Sequence, residues 1–123
     1  MKGDAEMEEQ FETIKQSIIA KVLNEDQVSF IEVERIFEEH CFAYQGDKVI
    51  HHSKYPHVLF WGGWNKQAID ILAIILEENK ICLQPSNYLN YLIDGDMPEI
   101  PVANIAKDYK TDHWMPMLLK SES

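Results

Sequence analysis

Long hydrophobic runs are missing from this chain of 123 residues. The longest uninterrupted apolar run spans residues 71–76, far short of the roughly 20 residues that a membrane-spanning helix needs. The N-terminus becomes acidic within a few residues, from Asp4 onward, and it lacks the apolar core of a secretory signal peptide. We therefore expect no transmembrane helix, no secretion and a cytoplasmic location.

Basic side chains are scarce. The chain has 11 Lys and Arg against 21 Asp and Glu, a formal net charge of −10, and Arg35 is its only arginine. The imbalance is largest in residues 1–47, where 12 acidic and four basic side chains give a net charge of −8. Because binding to nucleic acid depends on neutralising phosphates with Lys and Arg, this composition disfavours nucleic acid as a partner.

The chain has few cysteines, and its Cys and His residues lack the sequence spacings that are typical of metal or catalytic sites. Cys41 and Cys82 each lie in an apolar segment, which is typical of reduced, buried thiols; a disulfide between them is the less favoured alternative. His51, His52 and His57 are close in sequence, but they lack the short repeated spacing of zinc ligands. We predict no catalytic residue, no cofactor and no metal.

The remaining composition is that of an ordinary globular domain, with 46% hydrophobic, 11% aromatic and 26% charged residues. A chain of this length can bury a core without help from disulfides or metals. We expect one domain over residues 1–123, with fraying confined to residues 1–4 and 120–123.

The N-terminal segment has the pattern of an amphipathic helix over residues 5–23. Its apolar residues recur at spacings of three and four, at Met7, Phe11, Ile14, Ile18, Ile19, Val22 and Leu23. The first turns are acidic, and the helix dipole favours negative charge there. Glu8, Glu9 and Glu12 are therefore either a solvated outer face, which is the commoner case, or a patch that binds a partner.

A second helix is predicted over residues 30–40. Ser29 and Glu32 have the spacing of a capping box, in which the serine hydroxyl accepts a hydrogen bond from the backbone three residues later. Val28 stands just before the cap, where it can pack against Val33 as a hydrophobic staple. The short link between the two helices predicts that they are packed neighbours.

Two strands are predicted in the middle of the chain, in "KVIHHS" and "HVLFW". Gly62 and Gly63 then end the second strand, because glycine takes positive φ at little cost. Trp64 has two interpretations. It either packs in the core beside this turn, or it anchors a partner chain that approaches closely over the glycines.

A third helix is predicted over residues 66–78, after Asn65 as its N-cap. It is apolar nearly all round, which predicts burial on every side, at the centre of the domain or at a subunit interface. Asn79 is a candidate C-cap. "KICLQ" and "YLNYLI" then predict a β-hairpin that ends at residues 94–96.

The last segment contains three prolines and predicts short edge strands near Val102 and over residues 114–119. "HWMPMLL" is either a closing strand, as chain ends are often tied down by pairing, or an adaptable apolar contact through which Trp114 meets a partner.

The element order over residues 11–94, with "ILEENKICLQPSNYLNYLIDG" as its most telling part, resembles the winged-helix domain. The resemblance implies an α+β fold of helix, helix, strand, helix and β-hairpin with a small antiparallel sheet, in which the hairpin is the wing. It also implies DNA binding through the third helix. That helix, however, offers only Lys66, Gln67 and Asp70 near its start, which disfavours reading of the major groove.

These observations support two hypotheses about function. The first is a small acidic, non-enzymatic binding or regulatory protein that recognises a protein partner through Glu8, Glu9, Glu12, Trp64 and Trp114. One version of it is an inhibitor of the kind that mobile elements encode, whose acidic face competes with nucleic acid for a basic protein surface. The alternative is a winged-helix transcriptional regulator that binds DNA. A homodimer is compatible with both.

Overall fold

The structure, a computed structural model, describes residues 2–78, 81–92 and 98–122. In chain order the elements are α1 (Lys2–Glu25), β1 (Gln27–Val28), α2 (Phe30–Glu39), β2 (Gln45–His51), β3 (Val58–Trp64), α3 (Lys66–Glu78), β4 (Ile81–Pro85), α4 (Leu89–Leu92), β5 (His113–Trp114) and β6 (Met117–Ser121). The fold is therefore mixed α and β, as predicted. None of the helices in the described part of the chain combines the length and the apolar character that crossing a membrane requires.

The strands form two small sheets of three strands each. One sheet has the order β1, β6, β4 and is antiparallel throughout. The other has the order β2, β3, β5, and its β3–β5 pair is parallel. The prediction of a single small antiparallel sheet is corrected accordingly.

The predicted hairpin is wrong, because β4 pairs with β6 rather than with the segment that follows it. Leu83 lies opposite Leu119 in this register, and residues 89–92 form the short helix α4. Tyr91 in that helix is fully buried, which accounts for the apolar pattern that predicted a strand. The candidate cap Asn79 and residues 94–96 lie outside the described residues, and the winged-helix resemblance stays a prediction.

The start of α2 follows its local signal, whereas the bounds of α1 differ from the prediction. Helix α2 begins as predicted, since the Ser29 hydroxyl accepts a hydrogen bond from the Glu32 backbone N–H at 3.2 Å. Helix α1 is longer than predicted at both ends, and Leu23, which was placed on its apolar stripe, is 62% exposed. Residues 2–4 belong to α1 and residues 120 and 121 to β6, and the fraying of the chain ends stays a prediction.

Replacing Ser29 by alanine is expected to lower the free energy of unfolding by about 1 kcal/mol, the usual cost of losing an N-cap hydroxyl. Ser29 is 2% exposed, so water cannot readily replace its hydrogen bond. Chemical denaturation of Ser29→Ala, beside Ser53→Ala in an exposed turn, would measure the difference. Equal stabilities of the two variants would show that the cap contributes nothing.

Helix α3 has the predicted bounds and cap, with the Asn65 side chain accepting from the Ala68 backbone N–H at 2.9 Å. The prediction that α3 is buried on every side is corrected. Only one face of the helix is buried, and its residues, at spacings of three and four, are Ala68, Ile71, Leu72 and Ile75. Ile74, in contrast, is 37% exposed, because the helix lies over the core rather than inside it.

The Gly62–Gly63 pair lies within β3 and does not end it, so this prediction is also corrected. Gly63 has φ of +84°, a conformation that glycine adopts without a steric penalty, and the register between β2 and β3 shifts nearby. At the start of β2, a Cβ on Gly46 would meet the Asn65 backbone at 2.8 Å. Glycine is therefore required there by close approach of the two segments.

The C-terminal strands close the fold. Met115, Met117, Leu118 and Leu119 are all buried, and Val102 forms a parallel bridge with Trp114. The closing-strand interpretation of "HWMPMLL" is confirmed, since β6 pairs with both β1 and β4. The predicted edge strands are corrected: Val102 forms only an isolated bridge, and the segment over residues 114–119 is divided between β5 and β6, of which β6 is the central strand of its sheet.

Candidate functional site

The two tryptophans predicted to bind a partner are fully buried. The Trp64 ring packs edge-on against Phe30 and Phe37, with ring centroids 5.7 and 5.2 Å apart. The Trp114 ring packs edge-on against Tyr91 at 5.1 Å. The prediction that Trp64 and Trp114 anchor a partner at the surface is therefore corrected. Both are core residues, where burial of their large aromatic surface stabilises the fold.

The three predicted acidic residues lie at the surface of α1. Glu8, Glu9 and Glu12 are all exposed. Glu8 and Glu12 are four residues apart and share a helix face with Phe11, whereas Glu9 lies beside that face. The structure thus brings the glutamates together and separates them from the tryptophans.

An apolar groove between α1 and α3 runs next to these glutamates. It has a volume of about 240 Å³ and is lined by Glu8, Phe11, Glu12, Lys15, Ile71 and Ile74. Phe11 is half-buried and Ile74 is exposed, so apolar side chains form its floor within reach of solvent. We call this site the α1–α3 groove.

Charge is distributed unevenly around the α1–α3 groove. Lys15 Nζ lies 3.1 Å from Glu12 Oε2 and 3.6 Å from Glu78 Oε2, which links α1 to α3. A hydrogen bond from Gln16, followed by the contact with Lys15, lowers the pKa of the Glu12 carboxyl. The hydrogen bond between Lys15 and Glu12 raises the pKa of the Lys15 ammonium. Both groups are therefore charged at neutral pH, and the rim is net negative.

A second cleft, of about 440 Å³, separates α1 from α2. Lys21 forms ion pairs there with Glu25 at 2.6 Å and Glu32 at 3.7 Å. Opposite charges within this cleft already face one another, and its lining is mostly polar. It therefore offers less than the α1–α3 groove to an apolar partner.

The two cysteines lie in different parts of the fold, Cys41 just after α2 and Cys82 in β4. Both cysteines are free thiols, but Cys41 is exposed and Cys82 half-buried, so the predicted burial is wrong for Cys41. Cys41 lies just beyond the end of α2 with φ of +53°, outside the periodicity that predicted its burial. Across residues 2–78, 81–92 and 98–122, no three His, Cys, Asp or Glu side chains are placed to hold a metal ion.

Comparison of the chain with protein-family models, curated proteins and solved structures found no match. Sequence reasoning identified the glutamates of the α1–α3 groove but missed Ile74, because α3 was expected to be buried all round. It also missed Glu34, although this residue lies four positions after Phe30 and three before Phe37 on the buried face of α2. That spacing is a signal that a carboxylate faces the core.

Proposed function

We infer that the protein is a non-enzymatic binding protein whose α1–α3 groove takes an apolar side chain from a basic segment of a partner protein. The observation that carries this proposal is the apolar floor, with half-buried Phe11 and exposed Ile74, beside Glu8 on the rim and Glu9 next to it. Neither of these two glutamates forms an ion pair with another described residue.

Charge complementarity selects the partner. A segment that carries Lys or Arg on either side of an apolar residue gains attraction from the rim and burial from the floor. A phosphate backbone would instead be repelled by the same glutamates. We therefore propose a basic protein segment as the occupant rather than nucleic acid.

Regulation by competition is the specific form of this proposal. A protein surface that binds nucleic acid is rich in Lys and Arg, so it presents the charge that the α1–α3 groove favours. Occupying such a surface would exclude nucleic acid from it. The winged-helix DNA regulator is the less favoured alternative, because residues 81–85 form β4, which pairs with β6, and residues 89–92 form α4.

A labelled basic amphipathic peptide of about 18 residues, with leucines at helical spacing and lysines elsewhere, tests the proposal by fluorescence anisotropy. The variant with Glu8, Glu9 and Glu12 all replaced by lysine is expected to bind it about tenfold to hundredfold more weakly at low salt, from three lost rim interactions of up to about 1 kcal/mol each. Ile74→Ser is expected to weaken binding about tenfold at low and high salt alike, because burial is not screened.

The matched control replaces Glu99, Asp108 and Glu122 by lysine. These residues are exposed and do not line the groove, and the variant has the same net charge as the groove variant. It is expected to bind within about threefold of the natural protein, since distant surface charges are screened. Equal losses in both triple variants would mean that net charge alone attracts the peptide and would overturn the assignment to the groove.

A further inference from the structure

Strand β2 lies at the edge of its sheet. The order of this sheet is β2, β3, β5, so among the described residues β2 has a neighbouring strand on one side only. Lys48, Val49 and His51 are exposed, and Val49 keeps 43% of its surface accessible. An edge strand presents unpaired N–H and C=O groups that another extended chain can join. We call the outer side of residues 48–51 the β2 edge.

The pairing with β3 shows which backbone groups face the β2 edge. In an antiparallel ladder, successive residues alternate between bonding to the partner strand and pointing away from it. The His52 N–H bonds to the Val58 carbonyl at 2.9 Å. Val49 and His51 therefore point away from β3, and Ile50 between them points toward it. This part of β2 has no bulge of its own, because the register shifts within it fall on β3.

The β2 edge is basic in an acidic protein. Residues 48–66 contain three Lys and three His and no Asp or Glu, whereas the whole chain has a net charge of −10. Asp47, directly before this stretch, is the one acidic residue of β2. Lys66 pairs with an aspartate of its own helix, but Lys48 and Lys54 form no ion pair with another described residue. These two ammonium groups therefore attract a negatively charged partner.

We propose that the β2 edge binds an extended, acidic segment of a partner protein, which pairs with β2 as an added strand. Such a strand offers both N–H and C=O groups to the outward backbone of β2, and its side chains give the specificity. In the antiparallel arrangement, a β-branched residue lies opposite Val49, and acidic residues lie opposite Lys48 and His51. The β2 edge is separate from the α1–α3 groove, so this proposal does not depend on the proposed function.

Two other occupants fit the β2 edge less well. A phosphate backbone has oxygen acceptors but no N–H groups for the outward carbonyls, and binding to nucleic acid normally uses more basic groups than Lys48 and Lys54. A second copy of the chain would bring a second pair of these lysines to the first, together with a further net charge of −10. An acidic extended peptide has neither disadvantage.

Amide hydrogen exchange followed by NMR provides a direct test. The probe is the acetylated and amidated peptide Ser-Thr-Glu-Val-Ile-Glu-Thr-Ser, which places Ile opposite Val49 and Glu opposite Lys48 and His51. It is added to about 1 mM, in the weak-affinity range of short peptides. The Val49 and His51 amides are expected to exchange about tenfold more slowly at saturation, because they gain acceptors. The Ile50 amide, which already faces β3, should change less than about threefold.

Variants separate the backbone contribution from the charge contribution. Val49→Pro removes an outward N–H but no hydrogen bond to β3, and it is expected to weaken peptide binding about tenfold or more. Val49→Thr keeps that N–H and should bind within about threefold of the natural protein. Lys48→Glu with Lys54→Glu is expected to bind about tenfold more weakly at low salt. Lys107→Glu with Lys110→Glu makes the same charge change at exposed positions before β5 and should leave binding unchanged.

The natural protein alone decides the question if Val49→Pro does not fold. A peptide with Lys in place of both Glu residues should bind to it about tenfold more weakly, and oligothymidylate should leave the exchange of the Val49 and His51 amides unchanged. The proposal is overturned if the acidic peptide gives no protection, if the lysine peptide binds equally well, or if folded Val49→Pro binds the peptide unchanged. Protection by oligothymidylate would instead identify nucleic acid as the occupant. Dimerisation of the free protein with both amides protected would identify a second copy, and either result would overturn the proposal.

Discussion

Replacing Trp64 by alanine is expected to lower the free energy of unfolding by about 3–5 kcal/mol, the usual cost of truncating a large buried aromatic side chain. Trp64 is fully buried between Phe30 and Phe37, and its indole also donates to Glu34. The loss would be a large part of the roughly 5–15 kcal/mol that stabilises a typical domain. Urea denaturation followed by circular dichroism measures it.

Trp64→Phe is the matched control, because it keeps an aromatic ring in the core and removes the indole N–H. It is expected to cost about 1–2 kcal/mol, mainly from the lost hydrogen bond to the carboxylate. Alanine and phenylalanine variants of equal stability would contradict the placement of this ring at the centre of the core.

Tyr91→Phe is expected to lower the free energy of unfolding by about 2–4 kcal/mol although it removes a single oxygen atom. The Tyr91 hydroxyl accepts a hydrogen bond from the Phe30 backbone N–H at 3.1 Å and donates one to the Met117 carbonyl at 2.6 Å. Both interactions are buried, and a buried backbone group left without its partner costs about 1–3 kcal/mol. Thermal and urea denaturation would both detect the change.

Tyr109→Phe is the comparison for this effect. Its hydroxyl also donates to a backbone carbonyl, that of Ile105 at 3.0 Å, but at the surface, where water can take over the hydrogen bond. We expect a change within about 0.5 kcal/mol. Similar losses for Tyr91→Phe and Tyr109→Phe would mean that burial of the Tyr91 hydroxyl contributes nothing.

Elements whose signals are local were predictable from the sequence. The cap at Ser29 and the bounds of α3 depend on a few adjacent residues, whose side chains hydrogen-bond to nearby backbone groups. The same holds for residues 48–51 of β2 and for the start of β3, which follow β-branched and aromatic runs. Strand β2 begins at Gln45, three residues before the predicted strand.

Elements that depend on distant partners were not predictable in this way. Strand β4 could pair with any segment of suitable pattern. The pattern favours the nearest one, "YLNYLI", but β4 pairs with Met117–Ser121. Alternation alone does not specify the partner of a strand. Burial of Tyr91 through a short helix instead of a strand is a tertiary effect that overrides local preference.

The same distinction between local and tertiary features applies to the candidate site. Composition was sufficient to single out Glu8, Glu9 and Glu12, since the charge of the N-terminal part is visible in the sequence. The apolar floor beside them requires α1 to lie against α3, and the open side of Ile74 depends on where the core ends. Neither can be deduced from periodicity, because an apolar helix can rest on a core or lie within it.

The position of β6 between β1 and β4 has a consequence for biosynthesis. The ribosome makes the chain from its N-terminus, so residues 27–28 and 81–85 both emerge before the strand that joins them. Structure that forms on the nascent polypeptide before then therefore lacks the central strand of this sheet. Strands β1 and β4 cannot complete their pairing with β6 until residue 121 has been added. Cooperative folding of the whole domain must follow that step.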